Sequence, residues 1–365
     1  MHLVTRPALV CTAPMPRIAD LALTHLVATM LERVGAPAAI ARQVATDLVE
    51  ANLQGHDSHG VQLVPRYVEN TEKGLINPAA AAQQVGGAGA MAIFDGGMGY
   101  GQVTGRQATA WAIETATAQG MAMFGLRNTH HLGRIGAYAE QAAAAGLISM
   151  FFVNAVSGPP MVAPHGGMDG RMGTNPVCIG IPKEPAPIIL DFATSAIAVG
   201  KVKVAFNAGR EVPAGALITH LGEPSTDPAV MFGQGERGAL VSFGGHKGYG
   251  LALVCEILAG ALTGGGTNQP ETPKDRGIVN GMMGLVFDPA RLADNTAFAH
   301  EVQAVCDHVQ ASAFGHVLLP GDPERRAKHR RSSDGIPLDE VTWGDLSAAA
   351  TRIGVDEATI RAALL

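Results

Sequence analysis

The sequence predicts an α/β fold whose middle section is bracketed by helices from both ends of the chain. Three patterns support this. Apolar residues keep helical spacing up to residue 53, short apolar strands alternate with alanine-rich helices from residue 91, and helical spacing returns from residue 295. The expected organisation is an arm over 1–16, a discontinuous helical domain made from 17–85 and 295–365, and an α/β domain over 86–294.

Taken in order, Leu23, Val27, Met30, Leu31 and Val34 form one helical stripe that stops at Gly35. Ile40, Val44, Leu48 and Leu53 form a second, with Gly55 placed to end it. Strands are expected at Met91–Phe94, Met121–Leu126 and Leu147–Val153. Helices over Gln102–Gln119 and Arg134–Ala145 separate them, each closed by a glycine, Gly120 or Gly146. A strand over Ile188–Leu190, an apolar helix over Leu251–Leu262 and a strand over Gly284–Phe287 follow. The last three helices are expected at Asn295–Ala311, Thr342–Ile353 and Glu357–Leu364.

Composition narrows the function. With 47% apolar and 16% charged residues over 365 positions, the chain can fill a core and is not expected to be disordered. A net charge of −6 without a long basic run argues against nucleic acid as the main partner. The cluster Arg325-Arg326 and Lys328 to Arg331 reads as a solvated loop, with contact to an anionic cofactor as the alternative. Cys11, Cys178, Cys255 and Cys306 form no CxxC pair, which fits a reducing, cytoplasmic setting. Residues 1–16 lack the pattern of a signal peptide. The longest apolar runs carry Asn154 and Glu256 and are short for a membrane span.

Several segments could carry chemistry. Gly99-Tyr100-Gly101-Gln102-Val103-Thr104 approaches a dinucleotide-binding glycine fingerprint but lacks its third glycine and the following acidic residue. Gly55-His56-Asp57-Ser58-His59-Gly60 is the densest polar cluster. Its side chains suit a metal, an acid/base histidine with an orienting carboxylate, or a histidine-stabilised helix end. Asn128 to Arg134, with His130 and His131, follows a strand and precedes a helix, where free N–H groups favour an anion. Gly173-Thr174-Asn175-Pro176 reads as a turn. Asp191 ends a strand, where a carboxylate can bind ribose hydroxyls or cap the next helix. Lys247 sits on a glycine loop before a helix, though the P-loop pattern is absent.

In order along the chain, GHDSHG at 55–60, NTHHLGRIG at 128–136, GTNP at 173–176, LDFATSAIA at 190–198, GGHKGYGLA at 244–252 and LPG at 319–321 resemble the non-Rossmann malate/L-lactate dehydrogenase family. The resemblance is nearest to its hydroxycarboxylate dehydrogenase branch. It implies an NAD(P)-binding α/β fold without the Rossmann motif, a helical domain from both termini and a homodimer. The implied activity is hydride exchange between NAD or NADP and a 2-hydroxy/2-oxo acid pair. His59 then matches the acid/base residue and His131 a second histidine that contacts substrate, with Ser58 and Asp57 holding the His59 imidazole. Cofactor positions that match are Gly133, Arg134, Ile135, Ile189, Leu190, Asp191, Phe192, Ala193, His246, Lys247, Gly321, Asp322 and Pro323. Arg66 matches a carboxylate ligand. Leu63 stands where many members have arginine, and Ala216 and Thr219 stand where tryptophan and aspartate are frequent. Leucine cannot fork onto a carboxylate, so an apolar substrate side chain is expected to be accepted better than a second carboxylate. The competing readings are a metal-dependent hydrolase built on His56, Asp57, His59 and His131, and a non-catalytic scaffold.

Overall fold

The computed structural model describes residues 16–364; Cys11 and the arm before Pro16 lie outside them. Chain order runs β1 (Arg17–Ile18), α1 (Asp20–Arg33), α2 (Ala38–Leu53), α3 (Val64–Glu72), β2 (Gln83–Ala88), β3 (Met91–Asp95), α4 (Gly101–Gln119), β4 (Met121–Thr129), α5 (Gly136–Ala144) and β5 (Ile148–Val156). It continues through β6 (Val177–Ile181), β7 (Ile188–Phe192), α6 (Val199–Asn207), β8 (Leu217–Ile218), β9 (Pro224–Ser225), α7 (Ala229–Phe232), β10 (Ala239–Leu240) and α8 (His246–Cys255). It ends with β11 (Val279–Phe287), α9 (Asn295–Gln310), α10 (Asp322–Asp334), β12 (Ile336–Pro337), α11 (Glu340–Arg352) and α12 (Glu357–Ala362).

Among the described residues the central sheet has seven strands in the order β2-β3-β4-β11-β5-β6-β7. Only β3 and β4 are parallel, joined by the crossover helix α4; the other neighbours are antiparallel. Local alternation of strand and helix identifies the elements but not their direction, because β11, from far along the chain, inserts between β4 and β5. Strand residues alternate between the two faces. Phe124, Phe151 and Val153 pack with Ala108, Ala112 and Tyr138 of α4 and α5. On the other face, α8 continues through a π-helical turn, Glu256–Ala261, that presses on the sheet. A Cβ at Gly281 would lie 2.2 Å from the Ala259 carbonyl, so this helix-to-sheet approach requires glycine.

The helical layer shares one apolar core. Ile18, Leu23, Leu26, Met30 and Leu48 meet Ile336, Leu338, Leu346 and Ile360 from the other end of the chain. The ribbon β1–β12 pairs the two ends directly. At α11 and α12, Asp339 and Asp356 accept the Thr342 and Thr359 amides, satisfying donors left free in the first turn. A third, smaller core around Val162, Val202, Leu217 and Leu240 supports the sheet β10-β8-β9.

One expectation is corrected here. Arg325 to Arg331 lies within α10 rather than in a solvated loop. The helix packs on α2, and its cations meet fixed partners: Arg325 pairs with Asp322, Lys328 with Glu50 and Arg331 with Asp57. An all-polar helix has no apolar stripe to betray it in sequence.

Candidate active site

The Asp57–His59 turn is a short 3-10 helix that leaves α2 through Gly55, whose φ of 84° is left-handed. Buried Asn52 organises it. Its Oδ1 accepts the Val61 amide at 2.8 Å, and its Nδ2 donates to Asp57 Oδ1 at 2.7 Å. A Cβ at Gly60 would sit 2.1 Å from Asn52 Oδ1, so the second glycine of the motif makes room for this brace. From α10, Arg331 forks onto the Asp57 carboxylate at 2.6 and 3.0 Å and also donates to the Asn52 carbonyl. Asp57 therefore anchors the turn and does not hold the His59 ring. Ser58 does, with Oγ 3.1 Å from His59 Nδ1. His56 turns to Glu324 at 3.2 Å, a contact that lowers the Glu324 carboxyl below its usual range.

His131 arrives from the loop after β4. Its Nδ1 lies 2.7 Å from the Tyr67 hydroxyl, which also accepts from Gln102 Nε2 at 2.9 Å. His130 is fully buried beside Asn70 Nδ2 at 2.9 Å. The following Leu132 amide donates to Asn280 Oδ1 at 2.8 Å. Gly101, part of the incomplete glycine fingerprint, gives close backbone passage instead, because a Cβ there would lie 2.4 Å from the His131 carbonyl. The His59 and His131 rings stack with centroids 5.7 Å apart and planes 20° apart. Burial, reinforced by nearby His56, Arg134 and Lys201, lowers the His59 pKa to about 4. Burial lowers His130 to about 3, with Arg66 adding to the effect. It also lowers His131 well below the usual histidine value, followed by His59, His130 and Arg66. Both facing imidazoles are therefore neutral near pH 7.

Arg134 connects this pair to a neighbouring cleft. It lines a small cavity with His59, Gln102 and Gly133, and also the cleft bounded by Ile189, Asp191, Gly321 and Lys328. Its guanidinium pairs with Glu140. Asp191 Oδ2 accepts the Gly136 amide at 2.7 Å, so it caps α5 rather than the helix after its own strand. Burial raises the Asp191 carboxyl, against the Gly136 amide and Arg134. At the Gly321-Asp322-Pro323 turn, Gly321 has a φ of 95°, and Asp322 accepts the Leu319 amide and holds Arg325. The Ile189 amide donates to the Pro320 carbonyl at 3.1 Å, joining this turn to β7.

Other expected positions diverge. Ile189 and Asp191 share one face of β7, so Leu190 and Phe192 lie on the other, with the Phe192 ring against Phe243. Ala193 follows the end of β7, and Ile135 packs in the sheet core. His246 and Lys247 are exposed on the first turn of α8; their loop joins the segment after β7 through Phe243 N to Thr194 O. Arg66 is exposed, and Leu63 packs against the helical core. Ala216 is buried in the third core, and the Thr219 hydroxyl accepts amides of its own turn. Asn175 of GTNP is a buried brace, donating to Glu256 Oε2 at 2.7 Å.

Sequence reasoning missed Asn52, Tyr67, Asn70, Gln102, Asn280, Glu324 and the role of Arg331. The only local signal was Tyr67 and Asn70 three apart on one helix face. The metal set of the rival hydrolase reading does not converge, since His56 and Asp57 are engaged with Glu324 and Arg331. Among the described residues no group of three His, Cys, Asp or Glu side chains forms a candidate metal site.

Two stacked neutral histidines thus lie beside a cleft bearing both cations and carboxylates, on a mixed α/β fold whose relatives are oxidoreductases. The chain belongs to the malate/L-lactate dehydrogenase family, which it matches over residues 18–347. It is 42% identical over 346 residues to hydroxycarboxylate dehydrogenase B of Escherichia coli (strain K12), covering 93% of this chain and 95% of that protein. It is 38% identical over 328 residues to an L-lactate dehydrogenase of Cupriavidus necator, covering 87% and 93%. The solved sulfolactate dehydrogenase of Methanocaldococcus jannaschii superposes with a TM-score of 0.83 at 30% identity, covering 96% of this chain and all of that one (100%).

Proposed function

We propose that this protein exchanges a hydride between NAD or NADP and a 2-hydroxy acid/2-oxo acid pair. The stacking of neutral His59 on neutral His131, beside a cleft reached through Arg134, carries the reading. The cleft suits a dinucleotide chemically. Arg134 and Lys328 offer positive charge to a pyrophosphate, and Asp191 and Glu324 offer acceptors to ribose hydroxyls; in the adjoining cavity the buried Gln102 Oε1 has no partner among the described residues. When bound, the nicotinamide accepts or supplies the hydride.

The remaining work falls to this chain's side chains. With Nδ1 facing Ser58, His59 presents Nε2 to take the hydroxyl proton in oxidation and return it in reduction. His131 contacts the same substrate, and Arg66 serves its carboxylate. Leu63 leaves a second carboxylate without a partner and favours an apolar substituent. Family resemblance further supports a homodimer and a helical domain drawn from 17–85 and 295–365. Free, buried Cys178, Cys255 and Cys306 favour a reducing cytoplasmic setting.

The test is nicotinamide absorbance with NADH and NADPH against pyruvate, oxaloacetate, 2-oxoglutarate and phenylpyruvate. Consumption of one cofactor is expected, with phenylpyruvate reduced faster than oxaloacetate. Equal rates with these two acids overturn the Leu63 argument, and no consumption with any acid overturns the assignment.

A further inference from the structure

Two stacked imidazoles can divide acid and base work only if they carry their protons differently. A neutral histidine is a donor at one ring nitrogen and an acceptor at the other. Neither His59 Nε2 nor His131 Nε2 has a protein partner among the described residues, so both are available to substrate. What sets them apart lies behind His131.

Tyr67 is fully buried on α3, and its hydroxyl has a single proton. Gln102 Nε2 can only donate, and it points at that hydroxyl from 2.9 Å. The Tyr67 proton is then left for His131 Nδ1, 2.7 Å away, which must accept it. His131 consequently carries its own hydrogen on Nε2. The phenol ring is also held in place: His130 stands edge-on to it, with centroids 5.1 Å apart and planes 87° apart. Asn70 holds His130 in turn at 2.9 Å. The chain Gln102–Tyr67–His131 is short and directional, and its Gln102–Tyr67 link is buried, conditions under which a hydrogen-bond chain polarises along its length.

We infer that Gln102 and Tyr67 are positioning residues that lock His131 as the Nε2–H tautomer, so that His131 donates a hydrogen bond to the substrate's 2-oxygen and His59 alone takes the proton. The substrate half of this statement rests on the dehydrogenase reading; the tautomer half is a property of the protein alone. On His59, the Ser58 hydroxyl can donate or accept at Nδ1, so that ring keeps the freedom a proton acceptor needs. The two histidines thus differ in their supports, one adaptable and one fixed.

The test is a long-range proton–nitrogen correlation spectrum of histidine-labelled full-length protein near pH 7, with the His131→Gln spectrum assigning the His131 signals. A pyridine-type Nδ1 and a pyrrole-type Nε2 are expected in the natural protein. In Tyr67→Phe the ring is kept and the proton lost, so both tautomers should appear. Its kcat should fall by about 10²-fold, the lower end of what losing one oriented donor costs, with KM for the cofactor unchanged. Gln102→Leu should shift the same signals less far, and it keeps the question decidable if Tyr67→Phe does not fold. A hydrogen on Nδ1 in the natural protein overturns the relay, as does a single tautomer with undiminished kcat in Tyr67→Phe. A fixed Nε2–H in a protein that reduces no 2-oxo acid keeps the relay and overturns the substrate role.

Discussion

His59 and His131 face each other, yet the loops that carry them are held by different physics. His59 belongs to the helical side. Its turn is tied down by the Asp57–Arg331 ion pair, whose partners are 274 residues apart, and the Asp57 side chain is 46% exposed. His131 comes from the loop after β4 and is held by a neutral hydrogen bond with Tyr67 of the helical core, whose hydroxyl accepts in turn from Gln102. A part-exposed ion pair weakens with salt, whereas a neutral hydrogen-bond chain does not. The contrast puts His59 on a mount that salt can loosen and His131 on one that it cannot.

The largest expected effect removes one half of the pair. His59→Ala should lower kcat about 10²- to 10⁴-fold, the usual worth of a positioned acid/base group, while leaving cofactor affinity in place. A titration of cofactor fluorescence alongside turnover separates the two. If His131→Ala loses more kcat than His59→Ala, the assignment of roles is reversed.

Acid probes both mounts together. Burial holds His59 at about 4 and His130 at about 3, against 6.5 for a free histidine. The unfolded chain therefore binds more protons than the folded one below that free value. Stability from these groups is fully present above pH 6.5 and is lost as pH falls through the folded values. Melting temperature followed across that window should drop, and a His130→Asn protein should drop less. A melting temperature that is flat from pH 6.5 to 4 counts against buried neutral imidazoles.

The smallest effect tests the ionic mount. Arg331→Met removes the fork on Asp57 and should cost about 1 kcal/mol, discounted for the exposure of the carboxylate. Denaturant melts with and without added salt would measure it. Salt should destabilise the natural protein more than the variant, and Tyr67→Phe should show no such difference in salt response. Equal salt dependence in natural protein and Arg331→Met would remove the distinction between the mounts.

Much of this site was legible along the chain, but unevenly. GHDSHG and NTHHLGRIG marked both histidines, and the ordered motifs pointed to the family. Asp57 was expected to hold the His59 ring, yet its partner is Arg331, which comes from a helix with no apolar periodicity. The run Ile189 to Ala193 looked like one binding segment, yet a strand turns alternate residues to opposite faces. Tyr67 and Gln102 were invisible as site residues, since each lies on an ordinary helix and only their meeting at His131 gives them a role.

By itself the sequence determined the local elements, because apolar spacing and terminal glycines act over a few residues. It also marked the segments that carry His59 and His131, because polar clusters between glycines mark irregular backbone. Only the tertiary structure decided the antiparallel course of the sheet and which nitrogen of His131 accepts a proton. Those depend on contacts between residues far apart in the chain, such as β11 entering between β4 and β5 or Tyr67 reaching His131. A short-range pattern carries no record of such partners.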